Sequence, residues 1–412
     1  MPKTTAFFER LEPLNQTRIW KSWSGYLIAP SFRHSVISEY YSIRNSVSLL
    51  DSTPLFKYRF SGNDAGKLLE YALARDIRTC KPGRAQYTVW CNEAGFVLQD
   101  GVAIHAEKNE YWLTAAEPSL RYFQKLAEKL GLQRLQIEDI SVDYGILALQ
   151  GPHAHSVIKQ LTDAATPLKY FRASKTKIAG ADVLVSRTGY TGDLGYEIWV
   201  HSENAIAVWD AVYEAGQGYN LAPIGTTAMK MARVEAGLLL MDVDFQSAKY
   251  SWVDAQRETP CELGWNWMFR KLEQDDRDFV GRRAIEQEIA EERSRWTTVG
   301  LGIDWNHYRE VHHRQGIAPP QHELYCEQTM SLYRRNDKPY DYAGYASSFL
   351  YSSLLKRPIA IAKVPLDLAQ SGSEVEIELT VIRKPDYVLA RVESLPFYDP
   401  PRKTADMRQE AK

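Results

Sequence analysis

The sequence predicts an α+β protein built from two units of the split βαβ kind, followed by a smaller all-β domain. Three observations carry this. Before about Arg293, one rhythm of strand, helix, hairpin and helix occurs twice. The hairpins place turn residues between alternating apolar runs, as antiparallel sheets require and a doubly wound parallel sheet does not. Beyond Arg293 the helical spacing gives way to short strand-like runs separated by turns.

One occurrence of the rhythm opens with a strand from Leu55 to Phe60, the turn Ser61-Gly62-Asn63-Asp64 and a helical pattern through Leu73. The hairpin YTVWCNEAGFVLQDGVAIHA follows, turning at Asn92 to Gly95, then a strand from Tyr111 to Thr114, a helix from Pro118 to Leu130 and a strand from Leu135 to Ile140. The other opens with a strand from Gly145 to Leu149, punctuated by Gln150-Gly151-Pro152-His153 before a helix to about Leu161. Its hairpin is TKIAGADVLVSRTGYTGDLGYEIWV, with helices from Asn204 to Ala215 and from Thr226 to Leu239. Late strands are expected over Thr297 to Ile303, Ile359 to Val364, Val375 to Val381 and Val388 to Val392. The polar, aromatic and histidine-rich segment from Trp305 to Tyr342 reads as an insertion or long loop. These limits give a discontinuous α+β domain over 1–54 and 142–290, a second α+β domain over 55–141, a β domain over 291–400 with the insertion at about 305–342, and a loose tail over 401–412.

Length and charge narrow the function. At roughly 100–200 residues per domain, 412 residues make two to four domains. Fifty Lys+Arg against 52 Asp+Glu leave no basic excess for nucleic acid or a membrane surface. Cys80, Cys91, Cys261 and Cys326 are too far apart for a CxxC site, so a reducing compartment is expected. No run of about 18 apolar residues occurs, which predicts a soluble, cytoplasmic protein. The 24 Tyr and 11 Trp are either core or walls for a flat ligand.

Two carboxylates stand out. On the strand Phe96 to His105, period two places Asp100 on one face with Phe96, Leu98, Val102 and Ile104. Strand interiors disfavour Asp, and a carboxylate on an apolar face must be paired, hydrogen-bonded or protonated. It is either a satisfied structural acid or one held for function. Glu197, in GYEIWV, shares a face with Trp199, and an acid beside an indole suits a flat, donor-rich heterocycle. The competing reading is a surface Glu pairing a Lys or Arg. The run Thr188 to Gly195 lacks the Lys-Ser/Thr of a phosphate loop; its glycines are expected to give positive-φ turns and room for a ligand near the backbone. His307, His312, His313 and His322, with Cys326, have no metal-ligand spacing, so no metal is expected. No GxSxG motif is present.

The stretch CNEAGFVLQD, the segment VSRTGYTGDLGYEIWV, the helix ARVEAG, the run DFVGRRA and the late GYASSFLYSSLLKRPIAIAKV resemble, in that order, the aminomethyltransferase family, the T-protein of glycine cleavage with its folate-dependent demethylase relatives. The resemblance runs from about Ser24 to Tyr398. It implies a three-domain clover-leaf around a central tetrahydrofolate site, with a small C-terminal β-barrel or jelly-roll and with 1–54 and 142–290 as the folate-binding domain. By motif, Asp100 matches the acid beside the reactive nitrogens of the folate, and Glu197 the acid that hydrogen-bonds the pterin. Tyr87, Tyr190 and Arg233 fall at positions near the pocket and Leu55 at a lining position; Trp199 is a further candidate wall.

The chain also departs from the T-protein pattern. Gln99-Asp100-Gly101 keeps only the second of two paired acids, and Thr226-Thr227-Ala228 stands where an Ala-Arg-Asp run precedes Arg-Leu-Glu. The missing Arg and the long 305–342 segment lean towards the demethylase branch, which moves a methyl group from a small O-, S- or N-methyl compound to tetrahydrofolate. The alternatives are an aminomethyltransferase acting on a lipoyl carrier protein and a folate-binding scaffold without activity. No GxGxxG is present, so any flavin partner would be a separate chain. The KGCYxGQE-type motif of the iron–sulfur-repair branch is absent. The sequence leaves the oligomeric state open.

Overall fold

The structure is a computed structural model, and it describes residues 2–321, 325–335 and 340–407. The chain opens with a short helix α1 (Phe8–Leu11), a hairpin of β1 (Lys21–Trp23) and β2 (Tyr26–Ile28), the helix α2 (Val36–Asn45) and the strand β3 (Val47–Asp51). Then come β4 (Phe56–Ser61), α3 (Ala65–Ala72), β5 (Arg84–Cys91), β6 (Val97–Glu107), β7 (Glu110–Ala115), α4 (Leu120–Lys129) and β8 (Gln136–Asp139). The rhythm recurs as β9 (Tyr144–Gln150), α5 (Ala154–Leu161), β10 (Ala173–Ile178), β11 (Ala181–Ser186), β12 (Gly195–His201), α6 (Ala205–Gly216) and β13 (Leu221–Pro223), followed by α7 (Thr226–Glu235).

The sheets confirm that rhythm. The first sheet has the order β10-β11-β12-β9-β3-β13; the second has β5-β6-β7-β4-β8. Matching β4 to β9, β5 to β10 and so on gives one topology, with β3 wedged between β9 and β13 in the first sheet. All five residues of β3 are buried, as expected for a strand covered on both faces. Helix spacing explains the layers: Ala65, Leu68, Leu69 and Ala72 make one apolar stripe on α3, and Phe123 and Leu126 of α4 close over the same core. The two sheets face each other across Ala85, Ile104 and Trp112 from one, and Ile146, Leu184 and Trp199 from the other. We propose that these sheets and the third mark the domains.

After α8 (Arg282–Ala290) come β14 (Thr297–Ile303), α9 (Trp305–Arg314), β15 (Tyr325–Cys326), β16 (Met330–Arg334), β17 (Tyr342–Ser352), β18 (Arg357–Val364), β19 (Glu374–Thr380) and β20 (Pro385–Glu393). Pairing runs β17-β16-β19-β20-β14-β18 and back from β18 to β17, a closed six-stranded barrel with β15 attached outside the ring. Closure removes the exposed edges that an open sheet would carry.

Three expectations need correction. The segment 305–342 is not simply a loop. Asp304 caps α9 by accepting from the His307 N–H at 2.9 Å, and β16 is one stave of the barrel. The long β17 was missed because its Gly, Ala and Ser content is poor in β-formers. Helix α7 ends at Glu235, not Leu239. Gly237 takes φ +63°, its N–H bonds Val234 O and the Leu238 N–H bonds Arg233 O, the paired closure of a left-handed helix end. Finally, residues 401–407 are not loose. Arg402 grips Asp193 with two hydrogen bonds, of 2.7 and 2.8 Å, and Met407 is buried in the first α+β core.

Candidate functional site

Asp100 sits on β6 opposite Val89 of β5, on the face that looks towards the first sheet. The next residue has to be glycine: a Cβ at Gly101 would lie 1.9 Å from Thr114 O of the neighbouring strand. Asp100 is half-buried, and its Oδ2 accepts a 2.8 Å hydrogen bond from the Tyr87 hydroxyl. Burial pushes its carboxyl up to about 6, Tyr87 pulls the other way, and no cation contributes among the described residues. An acid of this kind exchanges a proton close to neutral pH.

Tyr87 packs edge-on to Trp265, with ring centroids 5.7 Å apart. Tyr190 lies in the connection between β11 and β12 and donates its hydroxyl proton to Leu239 O, in the segment that follows α7. Tyr87 and Tyr190 share one apolar cluster with Ala116, Leu239, Met241, Phe245 and Trp265. Burial and the nearby Asp100 charge push both hydroxyls well above the ordinary tyrosine range, so both stay protonated.

Glu197 lies opposite Ala148 of β9 and Ser186 of β11. Cross-strand neighbours share a face. Ala148 belongs to the cluster of Tyr87 and Tyr190, so Glu197 points to the same side. One carboxylate oxygen accepts from the Thr188 hydroxyl; the other has no hydrogen bond among the described residues. Burial raises its pKa and Thr188 lowers it. The glycine run is used differently from expectation. A Cβ at Gly189 or Gly195 would strike the Gln150 side chain at 2.0 or 2.3 Å, so these glycines make room for Gln150, not for a ligand. Gln150 in turn binds Thr188 O and accepts from Thr191. Gly192 alone of the run takes a positive φ, +70°.

Three candidates are placed elsewhere. Arg233 is 0% exposed. Its guanidinium is held by Asp244, Leu238 O, Tyr325 Oη at 3.1 Å and Ser348 Oγ at 2.7 Å, so it supports the wall behind Tyr190 and does not face a ligand. Trp199, 1% exposed, stacks edge-on to Trp112 in the core between the sheets. Leu55 lies in the turn before β4, where its carbonyl accepts from Lys57, outside the cluster of Tyr87 and Tyr190. Sequence reading missed Thr188 and Trp265. Thr188 was visible as the hydroxyl that opens the glycine run; Trp265 lies in an aperiodic stretch with no local signal.

The surviving set suits a flat heterocycle: one free acceptor at Glu197, a titratable carboxylate at Asp100, and walls of tyrosine, tryptophan and aliphatic side chains. Among the described residues no group of three His, Cys, Asp or Glu is arranged to hold a metal ion. His307 accepts from Leu389 N and His312 bonds Tyr308 O, while His322 lies outside the described residues. No described helix is long and apolar enough to cross a membrane.

Comparison with known proteins agrees with this picture. Residues 10–270 match the model of the GCVT N-terminal domain, and residues 314–399 that of the glycine cleavage T-protein C-terminal barrel domain. An aminomethyltransferase of Streptomyces coelicolor is 31% identical over 363 residues, covering 87% of this chain and 88% of that one. Another, of Caldanaerobacter subterraneus, is 28% identical and covers 91% of each. A trimethylamine-oxide aldolase of Ruegeria pomeroyi is 29% identical over 92% of this chain, which spans only 45% of that longer protein. The crystal structure of the glycine cleavage system aminomethyltransferase T from Bartonella henselae superposes with a TM-score of 0.78 over 97% of this chain at 22% identity, which establishes the shared fold.

Proposed function

Since the chain belongs to the glycine cleavage T-protein family of folate-dependent transferases, we propose that it moves a one-carbon unit from a small methylated compound to tetrahydrofolate, with Asp100 as the catalytic acid–base. The single observation that carries this is the half-buried Asp100, fixed by Tyr87 and titrating near pH 6 inside an aromatic wall. Tetrahydrofolate would supply the nitrogen that accepts the one-carbon unit. Glu197 offers its free oxygen to N–H donors of the ring, and Thr188 holds the carboxylate in place. Tyr87, Tyr190 and Trp265 orient the flat group and keep water away. Positioning of two bound partners is worth up to roughly 7–11 kcal/mol when the geometry is ideal. Asp100 takes or returns the proton; Tyr190 commits its own to Leu239 O, so the leaving group draws on Asp100 or water.

The demethylase branch is favoured by Thr226-Thr227-Ala228 at the start of α7 and by the similarity to a protein named for an amine oxide, as high as that to several aminomethyltransferases. Gln99 bears on it less, because its side chain is buried on the opposite face of β6 and accepts from Glu117 N. The second reading, transfer from a lipoyl-bound aminomethyl group, is supported by the near-full coverage of aminomethyltransferases. A screen of methylated amines, ethers and thioethers, and of a lipoyl carrier, with tetrahydrofolate separates the two. Mass spectrometry should find methyl-tetrahydrofolate with a small methyl donor, whereas the lipoyl-bound aminomethyl group gives methylene-tetrahydrofolate. Product from the lipoyl carrier alone would select the second reading, and product from no donor would refute both.

A further inference from the structure

Arg75 follows α3 at the outer edge of the second sheet, where Ala74 N–H bonds Val89 O and Arg75 Nη1 donates to Tyr87 O at 3.0 Å. Its guanidinium lies over the Trp267 indole, 4.9 Å from the ring centroid, and Trp267 is 38% exposed. Arg75 is half-buried, yet no Asp or Glu among the described residues pairs with it. The surrounding acids belong to other arginines. Arg78 holds Glu70, Asp76, Asp275 and Asp276, and Arg277 shares Asp275 while capping the carbonyls of Glu70, Leu73 and Ala74. Burial therefore pulls the Arg75 guanidinium below its usual range with no carboxylate to offset it. A guanidinium stays charged, and a charge withdrawn from water without a counter-ion is costly. Stacking covers the guanidinium face and Tyr87 O takes Nη1, which leaves Nε and Nη2, the edge that pairs a carboxylate with two parallel hydrogen bonds, without a partner among the described residues. The position matters as well: Tyr87, whose carbonyl anchors Arg75, is the residue whose hydroxyl holds Asp100.

We propose that Arg75, stacked on Trp267, recognises a carboxylate carried by the ligand of the Asp100 site. This rests on the proposed transfer to tetrahydrofolate. Two ligands would bring a carboxylate there: the glutamyl end of the folate, or a methylated amino acid acting as donor. The exposed Arg270 and Lys271 directly follow the short helix that carries Trp267 and add positive charge to that segment.

The test uses the full-length protein with Arg75→Gln and Arg75→Lys. Calorimetry measures the Kd of tetrahydrofolate and of a tetrahydropterin lacking the benzoylglutamate tail, and kinetics measures KM for an N-methyl amino acid and for a methylamine without an acid group. If the folate tail is the source, Arg75→Gln weakens tetrahydrofolate at least tenfold, Arg75→Lys less, and the pterin stays within twofold. If the donor is the source, tetrahydrofolate and the pterin are both unchanged and only KM of the N-methyl amino acid rises at least tenfold. The proposal is overturned if every one of these constants stays within twofold, or if folate and pterin weaken equally, which is the signature of a packing role. A wild-type protein that binds neither folate nor pterin would overturn the transferase reading as well.

Discussion

Glu197 and Asp100 stand on hairpin strands of two sheets with one strand order, and the two sheets treat their acids differently. The first sheet surrounds Glu197 with polar support: Thr188 donates to it, Ser186 lies 2.7 Å from that hydroxyl, and Gln150 holds the Thr188 carbonyl. Its loop is pinned further along, where Asp193 is shared by Arg44 and Arg402, and Arg44 also pairs with Glu235. The second sheet gives Asp100 one hydroxyl and an apolar wall. Recognition of a fixed ring benefits from an acid locked in place, whereas proton transfer needs one whose pKa lies near the working pH. A repeated fold can therefore supply both, provided that the loops around the repeats differ.

The contrast breaks most sharply at Asp100. Asp100→Asn should lower kcat by roughly 10²–10⁴-fold and abolish the acid limb of the pH–rate profile near pH 6, with tetrahydrofolate Kd changed far less. An unchanged profile would remove Asp100 from the chemistry. The same change tests stability with a defined sign. Burial raises this carboxyl from 3.8 to about 6, so ionising it costs the folded state nothing below about pH 4 and the full amount above about pH 7. Asp100→Asn should thus melt higher than wild type at about pH 8 and equally at about pH 3.5.

Removing the support of the first sheet is the next largest effect. Glu235 accepts from Tyr40 and Ser352 and pairs with Arg44, all buried, so Glu235→Ala leaves Arg44 with a single carboxylate among the described residues, Asp193, which it shares with Arg402, and should cost about 3–5 kcal/mol. Denaturant melts measure this; a loss below about 1 kcal/mol would show that the cluster is dispensable. Glu197→Ala should weaken tetrahydrofolate by about 1–3 kcal/mol with kcat at saturation little altered, since it removes a hydrogen-bond acceptor for the ring and not a proton carrier. Calorimetry decides, and a pure kcat defect would reverse the roles given to the two acids. The smallest effect is expected from Tyr87→Phe. Its hydroxyl holds the Asp100 pKa down, so the limb should move above pH 6 while the plateau rate changes by about tenfold or less.

Strand periodicity found both acids because Asp100 and Glu197 break apolar alternation, and that pattern survives in the sequence whatever packs against it. It could not place Arg233, Trp199 or Leu55. A motif position says which element a residue rides on, but burial depends on what arrives from elsewhere, here Asp244, Ser348 and Tyr325 for Arg233 and Trp112 for Trp199. Arg75 was invisible for a related reason. Its significance is a missing partner, and the acids around it are taken by Arg78, three residues on, and by Arg277 from far along the chain.

Local chemistry in the chain therefore determined the repeated strand–helix–hairpin rhythm, the antiparallel sheets, the family and the two anomalous carboxylates, since each depends on neighbours within a few residues. Only the tertiary structure decided that the 305–342 segment contributes a stave to a closed barrel, that the tail straps Asp193, and that Asp100 has no cation beside it among the described residues while Glu197 sits in a polar cradle. Those outcomes turn on contacts between elements, from neighbouring strands to the 209 residues between Arg402 and Asp193, where burial and charge are set by whatever the fold brings alongside.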